Sequence, residues 1–323
     1  MLAFLRLIRL PNLLILAFTG YMLRWALLKP VLALKRADLD YSLLDTQITE
    51  LDFFLLILSM VMIAAAGYII NDYFDVRIDE VNRPASNVID RGIKRRVAMG
   101  AHMVINFIGA GLGIYLSWKY NQFRPGTFIF ITAPALLWFY STNLKRQLLI
   151  GNIVIALLSG LVPLLIMLFE LPAIYYAFPD LVSARLLDLS DVFMVAKFYA
   201  LFAFLISLIR EIIKDTEDYE GDMKYGCRTL PIVAGISTSK YVIIGLTMVL
   251  AGILGWLQWL QYLSQDWMSF GYFTVLLQIP LIYLMYRVHT AVTKKDWWFS
   301  SLLVKLIMVG GISFLFVYSS SLN

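Results

Sequence analysis

The sequence has little of what a soluble enzyme spends on its surface. Charged residues make up 15% of its 323 positions and hydrophobic ones 60%, a balance that excludes an ordinary soluble domain of this length. A single cysteine, Cys227, excludes an intramolecular disulfide and a cysteine-built metal centre. The two histidines, His102 and His289, are isolated and read as structural. No low-complexity linker and no soluble domain interrupts the chain. The net charge of +5 is modest and sits in alternate connections, so membrane orientation accounts for it and no nucleic-acid partner is implied. Met1 to Asn12 alternates Leu and Ile with Arg6 and Arg9 and lacks a small-residue cleavage site. It reads as a short interfacial helix rather than a signal peptide.

What is present in quantity is long apolar runs of the length a hydrocarbon core of about 30 Å demands of a helix. They fall near 12–34, 51–70, 97–118, 127–142, 148–169, 192–209, 238–262, 269–288 and 299–319. The expected fold is therefore all-α: a multispanning membrane helical bundle of about nine transmembrane helices, with residues 1–323 as one transmembrane domain. Basic residues cluster in one set of connections, including Arg6, Arg9, Arg77, Arg83, Arg91, Lys94, Arg95, Arg96, Lys145, Arg146, Arg210, Lys214, Lys224 and Arg228. Cytoplasmic loops retain Lys and Arg, which places the N-terminus inside and, with an odd span count, the C-terminus outside. Arg24, Lys29 and Lys305 fall within spans and are expected to snorkel or to line a cavity.

Two polar stretches on the expected inside carry most of the chemistry-capable residues. The first contains Asn71-Asp72-x-x-Asp75-x-x-x-Asp79 and the second Asp215-x-x-Asp218-x-x-x-Asp222, the acids repeating at one constant offset of 143. Separations of three and four residues return side chains to one helix face, so each set is expected to form an acidic stripe. Stacked carboxylates repel, and acids near a bilayer are costly unless a cation compensates. All-oxygen donors with no His or Cys beside them favour a hard ion. Mg²⁺ in particular is held by one or two carboxylates together with substrate phosphates. Asn71, Asp72, Asp75, Asp79, Asp215, Asp218 and Asp222 are therefore the candidate metal ligands, facing a diphosphate. Arg77, Lys145, Arg210 and Lys214 stand where phosphate oxygens would need direct donors. For Arg77, Arg91, Lys94, Arg95 and Arg96 the competing reading is topology signalling, and for most of the Phe, Tyr and Trp residues it is lipid contact.

At these motifs the sequence resembles the UbiA superfamily of intramembrane prenyltransferases. The resemblance is carried by Asn71-Asp72-Tyr73-Phe74-Asp75-Val76-Arg77-Ile78-Asp79 with Asn82-Arg83-Pro84, and by Lys214-Asp215-Thr216-Glu217-Asp218-Tyr219-Glu220-Gly221-Asp222. Tyr140 through Arg146 and Gly226-Cys227-Arg228-Thr229-Leu230-Pro231 support it. It implies nine helices around a central cavity with a cytoplasmic cap. It also implies Mg²⁺ as cofactor, an isoprenyl diphosphate as donor, a lipophilic acceptor, and access from membrane lipids. By the same resemblance Asp72, Asp75, Asp215, Asp218 and Lys145 would be catalytic, and Asn71, Arg77, Tyr140, Lys145 and Lys214 would bind the diphosphate, a set that Arg210 joins by its place just before the second motif. Arg9-Leu10-Pro11-Asn12 and the first span look like the branch whose acceptor is geranylgeranylglycerol phosphate. Branches that alkylate hydroxybenzoate or dihydroxynaphthoate share the metal-binding residues, and a non-catalytic isoprenoid-binding protein or transporter is the remote alternative.

Overall fold

The computed structural model describes residues 2–82, 88–90 and 92–322; Arg83, Pro84 and Arg91, singled out above, lie outside them. The described residues form helices joined by short turns, with no strand among them. We number these α1 (Leu2–Leu7), α2 (Leu10–Asp38), α3 (Glu50–Asn82), α4 (Arg95–Lys119), α5 (Phe123–Thr142), α6 (Ile150–Ala177), α7 (Ser190–Glu217), α8 (Tyr219–Lys224), α9 (Leu230–Leu263), α10 (Trp267–Thr290) and α11 (Lys294–Ser321). Among the described residues eight helices are long and apolar enough to cross a membrane: α2, α3, α4, α6, α7, α9, α10 and α11. The ninth expected span falls on α5, 20 residues long, which is not in that set. Pro125, Gly126, Pro134 and the polar-tipped Trp138 and Tyr140 dilute its apolar run.

Both ends of α3 follow from local chemistry. Thr49 caps its start: the Asp52 N–H donates to Thr49 Oγ1 at 3.1 Å, and that hydroxyl donates to Asp52 Oδ2 at 2.7 Å, a reciprocal cap of the kind short polar side chains make. At the other end the helix outruns its hydrophobic stretch. Its 33 residues span about 50 Å at 1.5 Å each, against a hydrocarbon core of about 30 Å. The acid-bearing last turns thus lie beyond the length the apolar stretch needs.

The chain divides into two compact units. The first comprises Met1–Asn143 and Leu161–Phe198. Within it α3, α4 and α5 pack together, and α3 meets α4 closely enough that Ser59 Oγ donates to the Gly109 carbonyl at 2.6 Å. A Cβ at Gly109 would stand 2.9 Å from Met62 Cβ and 3.1 Å from the Ser59 carbonyl oxygen, so a small residue is required for this approach. Arg24 corrects its sequence reading. It neither snorkels nor faces a cavity but is 1% exposed and paired with the fully buried Glu170, Nη1 to Oε1 at 2.7 Å. Its guanidinium also lies over the Phe53 ring at 4.4 Å and donates to the Ile48 carbonyl. Lys29, the second charge in that span, pairs with Glu50 at 2.7 Å.

The second unit comprises Leu144–Gly160 and Tyr199–Ser321. Its core is one apolar cluster centred on Ile209, Ile213, Ile243, Leu281 and Val304, all fully buried. The units share a device. Pro30 and Pro280 cannot donate to the carbonyl four residues back, and each follows a π-helical segment, Leu23–Leu28 and Thr274–Gln278 respectively. The widened turn sends the Lys29 N–H to the Arg24 carbonyl and the Ile279 N–H to the Thr274 carbonyl, five residues back in each case.

Candidate active site

In the first unit the expected stripe is realised. Residues 71–79 are all within α3, so Asp72, Asp75 and Asp79 share one face, each half-buried. An apolar cap seats this end. Leu7, Ile69, Val76, Ile89 and Ala98 form a buried cluster, with Phe4, Ile8, Tyr73 and Ile93 packed against it, and it joins α1, the end of α3 and the start of α4. Arg95 donates to the Tyr73 carbonyl at 3.3 Å and lies over the Tyr73 ring at 4.9 Å, pinning α4 to the same turn. Arg77 is exposed and, two residues from Asp75 and Asp79, projects from the opposite side of the helix. Tyr140 is half-buried near the end of α5, and the neighbouring Trp138 ring meets Phe74 of α3 at 5.9 Å.

Arg9 is the residue that motif reading did not assign to the site. It adopts a left-handed backbone conformation (φ 52°) immediately before α2. Its Nη2 donates to Asp72 Oδ1 at 2.7 Å, and its guanidinium lies over Tyr68 at 5.1 Å. The Tyr68 hydroxyl accepts from Asn12 Nδ2 at 3.2 Å. Burial acts to lower the Arg9 guanidinium, but Asp72 chiefly, with Tyr68 and Asp79, shifts it the other way and the net displacement is upward. Arg9 is thus a fixed cation against the first acid set. The Arg9-Leu10-Pro11-Asn12 segment held the signal, but not its spatial partner.

In the second unit the acids do not ride on one helix. Asp215 is in the last turn of α7, Asp218 stands at the break that follows, and Asp222 lies in the six-residue α8. The Asp218 N–H still bonds the Lys214 carbonyl at 2.9 Å and the Asp222 N–H the Asp218 carbonyl at 3.1 Å, so helical hydrogen bonding carries across the break. Crowded acids at the negative end of a helix dipole disfavour a straight continuation. Asp215 Oδ2 accepts from Asn152 Nδ2 at 2.8 Å; Asn152 is buried in the first turn of α6.

The same corner holds the Leu144–Arg146 turn. A Cβ at Gly151, next to Asn152, would stand 2.8 Å from Lys145 Cα and 2.9 Å from the Leu144 carbonyl oxygen, so the turn is pressed on the start of α6. The Arg228 N–H closes the corner by donating to the Arg146 carbonyl at 2.8 Å. Lys145, Lys214, Asp215, Asp218 and Asp222 therefore belong to one corner of this unit. Arg210 does not. It lies more than a turn before Asp215 on α7, and its Nη1 donates to Glu211 Oε1 at 2.8 Å.

Among the described residues no three His, Cys, Asp or Glu side chains converge tightly enough to cage a metal by themselves. Mg²⁺ is usually held by one or two carboxylates and completed by substrate phosphates and water, and the donors here are oxygens throughout. Asp79 in the last turn of α3 and Asp215 in the last turn of α7 sit at helix C-terminal ends, where a carboxylate is electrostatically disfavoured and a cation welcome.

The fold and these helix ends define an integral membrane protein with two acid-bearing corners related by sequence offset. The chain belongs to the UbiA prenyltransferase family, whose profile matches residues 42–319. Among curated proteins it is similar to the digeranylgeranylglyceryl phosphate synthase of Pyrococcus horikoshii, 35% identical over 192 residues, 59% of this chain and 60% of that one. The chain thus spans 60% of that relative's length in the match. Solved structures share the fold. One concerns digeranylgeranylglyceryl phosphate synthase in membranes, at a TM-score of 0.57 and 22% identity, covering 99% of this chain and 98% of that one. Another is a UbiA homologue from Archaeoglobus fulgidus bound to GPP and Mg²⁺, at a TM-score of 0.55 and 13% identity, covering 98% of this chain and 99% of that one.

Proposed function

We propose that this chain, acting as one domain, transfers a prenyl group from an isoprenyl diphosphate to a lipophilic acceptor within the membrane, with Mg²⁺ as cofactor. The observation that carries this is the repeated acid motif, each copy at the C-terminal end of an apolar helix. In this reading Asn71, Asp72, Asp75 and Asp79, with Asp215, Asp218 and Asp222, hold Mg²⁺ and through it the diphosphate. Lys145, Lys214 and Tyr140 donate to diphosphate oxygens. Arg77 and Arg210, proposed for the same role from sequence, are weaker candidates, since one faces away from the acids and the other is engaged by Glu211.

When bound, Mg²⁺ would neutralise charge growing on the departing diphosphate. The lysines supply direct donors to the same oxygens, and exclusion of water by the surrounding membrane-spanning helices would protect the allylic cation from capture. The C–O bond to diphosphate breaks, the acceptor oxygen bonds the same carbon, and the acceptor's hydroxyl proton passes to the departing diphosphate. The acceptor we favour is geranylgeranylglycerol phosphate, giving an ether lipid. Support comes from the relatives named digeranylgeranylglyceryl phosphate synthase and from the placement of Arg9-Leu10-Pro11-Asn12 against the first acid set. The excess of basic residues on the site's side supports a cytoplasmic site in an archaeal or bacterial cell membrane.

The test is incubation of purified protein with geranylgeranyl diphosphate, Mg²⁺ and either geranylgeranylglycerol phosphate or an aromatic acid, with products identified by mass spectrometry. An ether product is expected. An alkylated aromatic would move the chain to quinone biosynthesis, and folded protein giving neither would end the transferase reading. Asp75→Ala and Asp218→Ala should each abolish turnover; activity retained in either removes that residue from the metal site.

A further inference from the structure

The two aspartates that open the acid motifs are held in the same way by chemically unlike residues. Arg9 Nη2 meets Asp72 Oδ1 at 2.7 Å, and Asn152 Nδ2 meets Asp215 Oδ2 at 2.8 Å. Each donor precedes its aspartate by 63 residues. Arg9 and Asn152 are therefore separated by 143 positions, the same offset that relates the acids. The surroundings match as well. Each donor stands at the start of a helix entered through a left-handed residue, Arg9 itself (φ 52°) before α2 and Leu149 (φ 56°) before α6. Asn152 begins about one turn further into its helix than Arg9 does, and its side chain is correspondingly shorter. A long arm from the cap and a short arm from the first turn thus reach equivalent carboxylates.

We propose that Arg9 and Asn152 are repeat-equivalent positioning residues that fix the leading aspartates of the two motifs for the metal, and that they make the two motifs unequal. Each donor engages one carboxylate oxygen and orients the other, the arrangement by which outer partners set the direction and basicity of metal-ligating groups. The Asn152 amide brings no charge of its own to Asp215. The guanidinium of Arg9 cancels the charge of Asp72. The second motif is consequently the tighter cation site and fills first, and the first motif takes up its ion when a diphosphate adds negative charge. This rests on the reading that the motifs bind Mg²⁺.

The test uses full-length protein in nanodiscs and Mn²⁺ as the spectroscopic substitute for Mg²⁺, its affinity read by electron paramagnetic resonance without substrate. Asp215→Asn should remove the tighter class of Mn²⁺ binding and Asp72→Asn should spare it. Asn152→Leu, which keeps the volume and removes the donor, should weaken that class by about tenfold or more; Asn152→Ala serves as a second variant should the first misfold. Arg9→Gln, which keeps a donor without the charge, should strengthen the weaker class. In an Asp215→Asn background the Asn152→Leu change should have no further effect on Mn²⁺ binding, because the residue acts only through that carboxylate. The proposal is overturned if Asn152 and Arg9 variants bind Mn²⁺ as the parent does, or if their effects persist undiminished without the aspartate. Unchanged Mn²⁺ binding in Asp75→Ala, Asp218→Ala and Asp215→Asn would instead reject the metal reading itself.

Discussion

Two arginines near the N-terminus show how differently one side chain is used. Arg9 is 23% exposed and meets a carboxylate that is itself 20% exposed, so water shares in solvating the pair. Arg24 and Glu170 are sealed at 1% and 0%, and the Arg24 Nε and Glu170 Oε2 atoms are buried without a partner. Such a pair contributes little net stability as a pair, yet removing one member strands the other charge at a cost on the order of 3–5 kcal/mol. Glu170→Gln should therefore lower the thermal midpoint sharply in detergent. Arg24→Met combined with Glu170→Leu should restore most of the loss, and prenyl transfer should survive in the double variant. A double variant no more stable than Glu170→Gln would show that the pair's hydrogen bonds, not its charges, matter there.

At the scale of elements, the helix ends were legible where one period ran through them and obscure where it did not. The acids of α3 follow unbroken helical spacing, and 71–79 is one helix. The same spacing in the second motif conceals a break at Asp218, because spacing alone does not register repulsion among acids at a helix terminus. The Leu144–Arg146 turn was visible as a basic segment, but its seat was not, since the seat is the missing side chain of Gly151. Gly151→Val should displace the turn by the few tenths of an ångström or more that the new methyls demand. Misplacement of a reacting group by about 1 Å costs on the order of 10²-fold in rate, so turnover should fall towards that extent, with the thermal midpoint lowered as well because the new Cβ meets backbone atoms; wild-type turnover would remove Lys145 from the site. The crowding of acids at helix ends also predicts a ligand effect. Mg²⁺ at a hundred times its dissociation constant should stabilise the folded state by about 2.7 kcal/mol, seen as a rise in thermal midpoint that EDTA reverses along with activity.

For the whole molecule, membrane topology turns on α5. From the first acid motif to the second the chain traverses α4, α5, α6 and α7. Four crossings return it to the starting side, while three leave it on the other. The proposed function, which needs both motifs on one face of the membrane, therefore requires α5 to span, although its apolar run is the weakest of the nine expected from sequence. In a Cys227→Ser background, cysteines placed at Glu80 and Lys224 should be labelled by an impermeant maleimide from the same face, and one at Tyr176 from the opposite face. Labelling of Glu80 and Lys224 positions from opposite faces would end the shared-site reading.

The overhang of α3 beyond the hydrocarbon sets a depth as well as a length. With the apolar stretch of α3 filling the hydrocarbon core, its last turns would reach the depth of the lipid phosphates, and under the proposed function a phosphorylated donor and a phosphorylated acceptor would each meet the protein at their own waterline. Neither head is pulled under and neither tail is lifted out. The helix works as a draught mark, bringing two amphiphiles alongside at the level each already keeps.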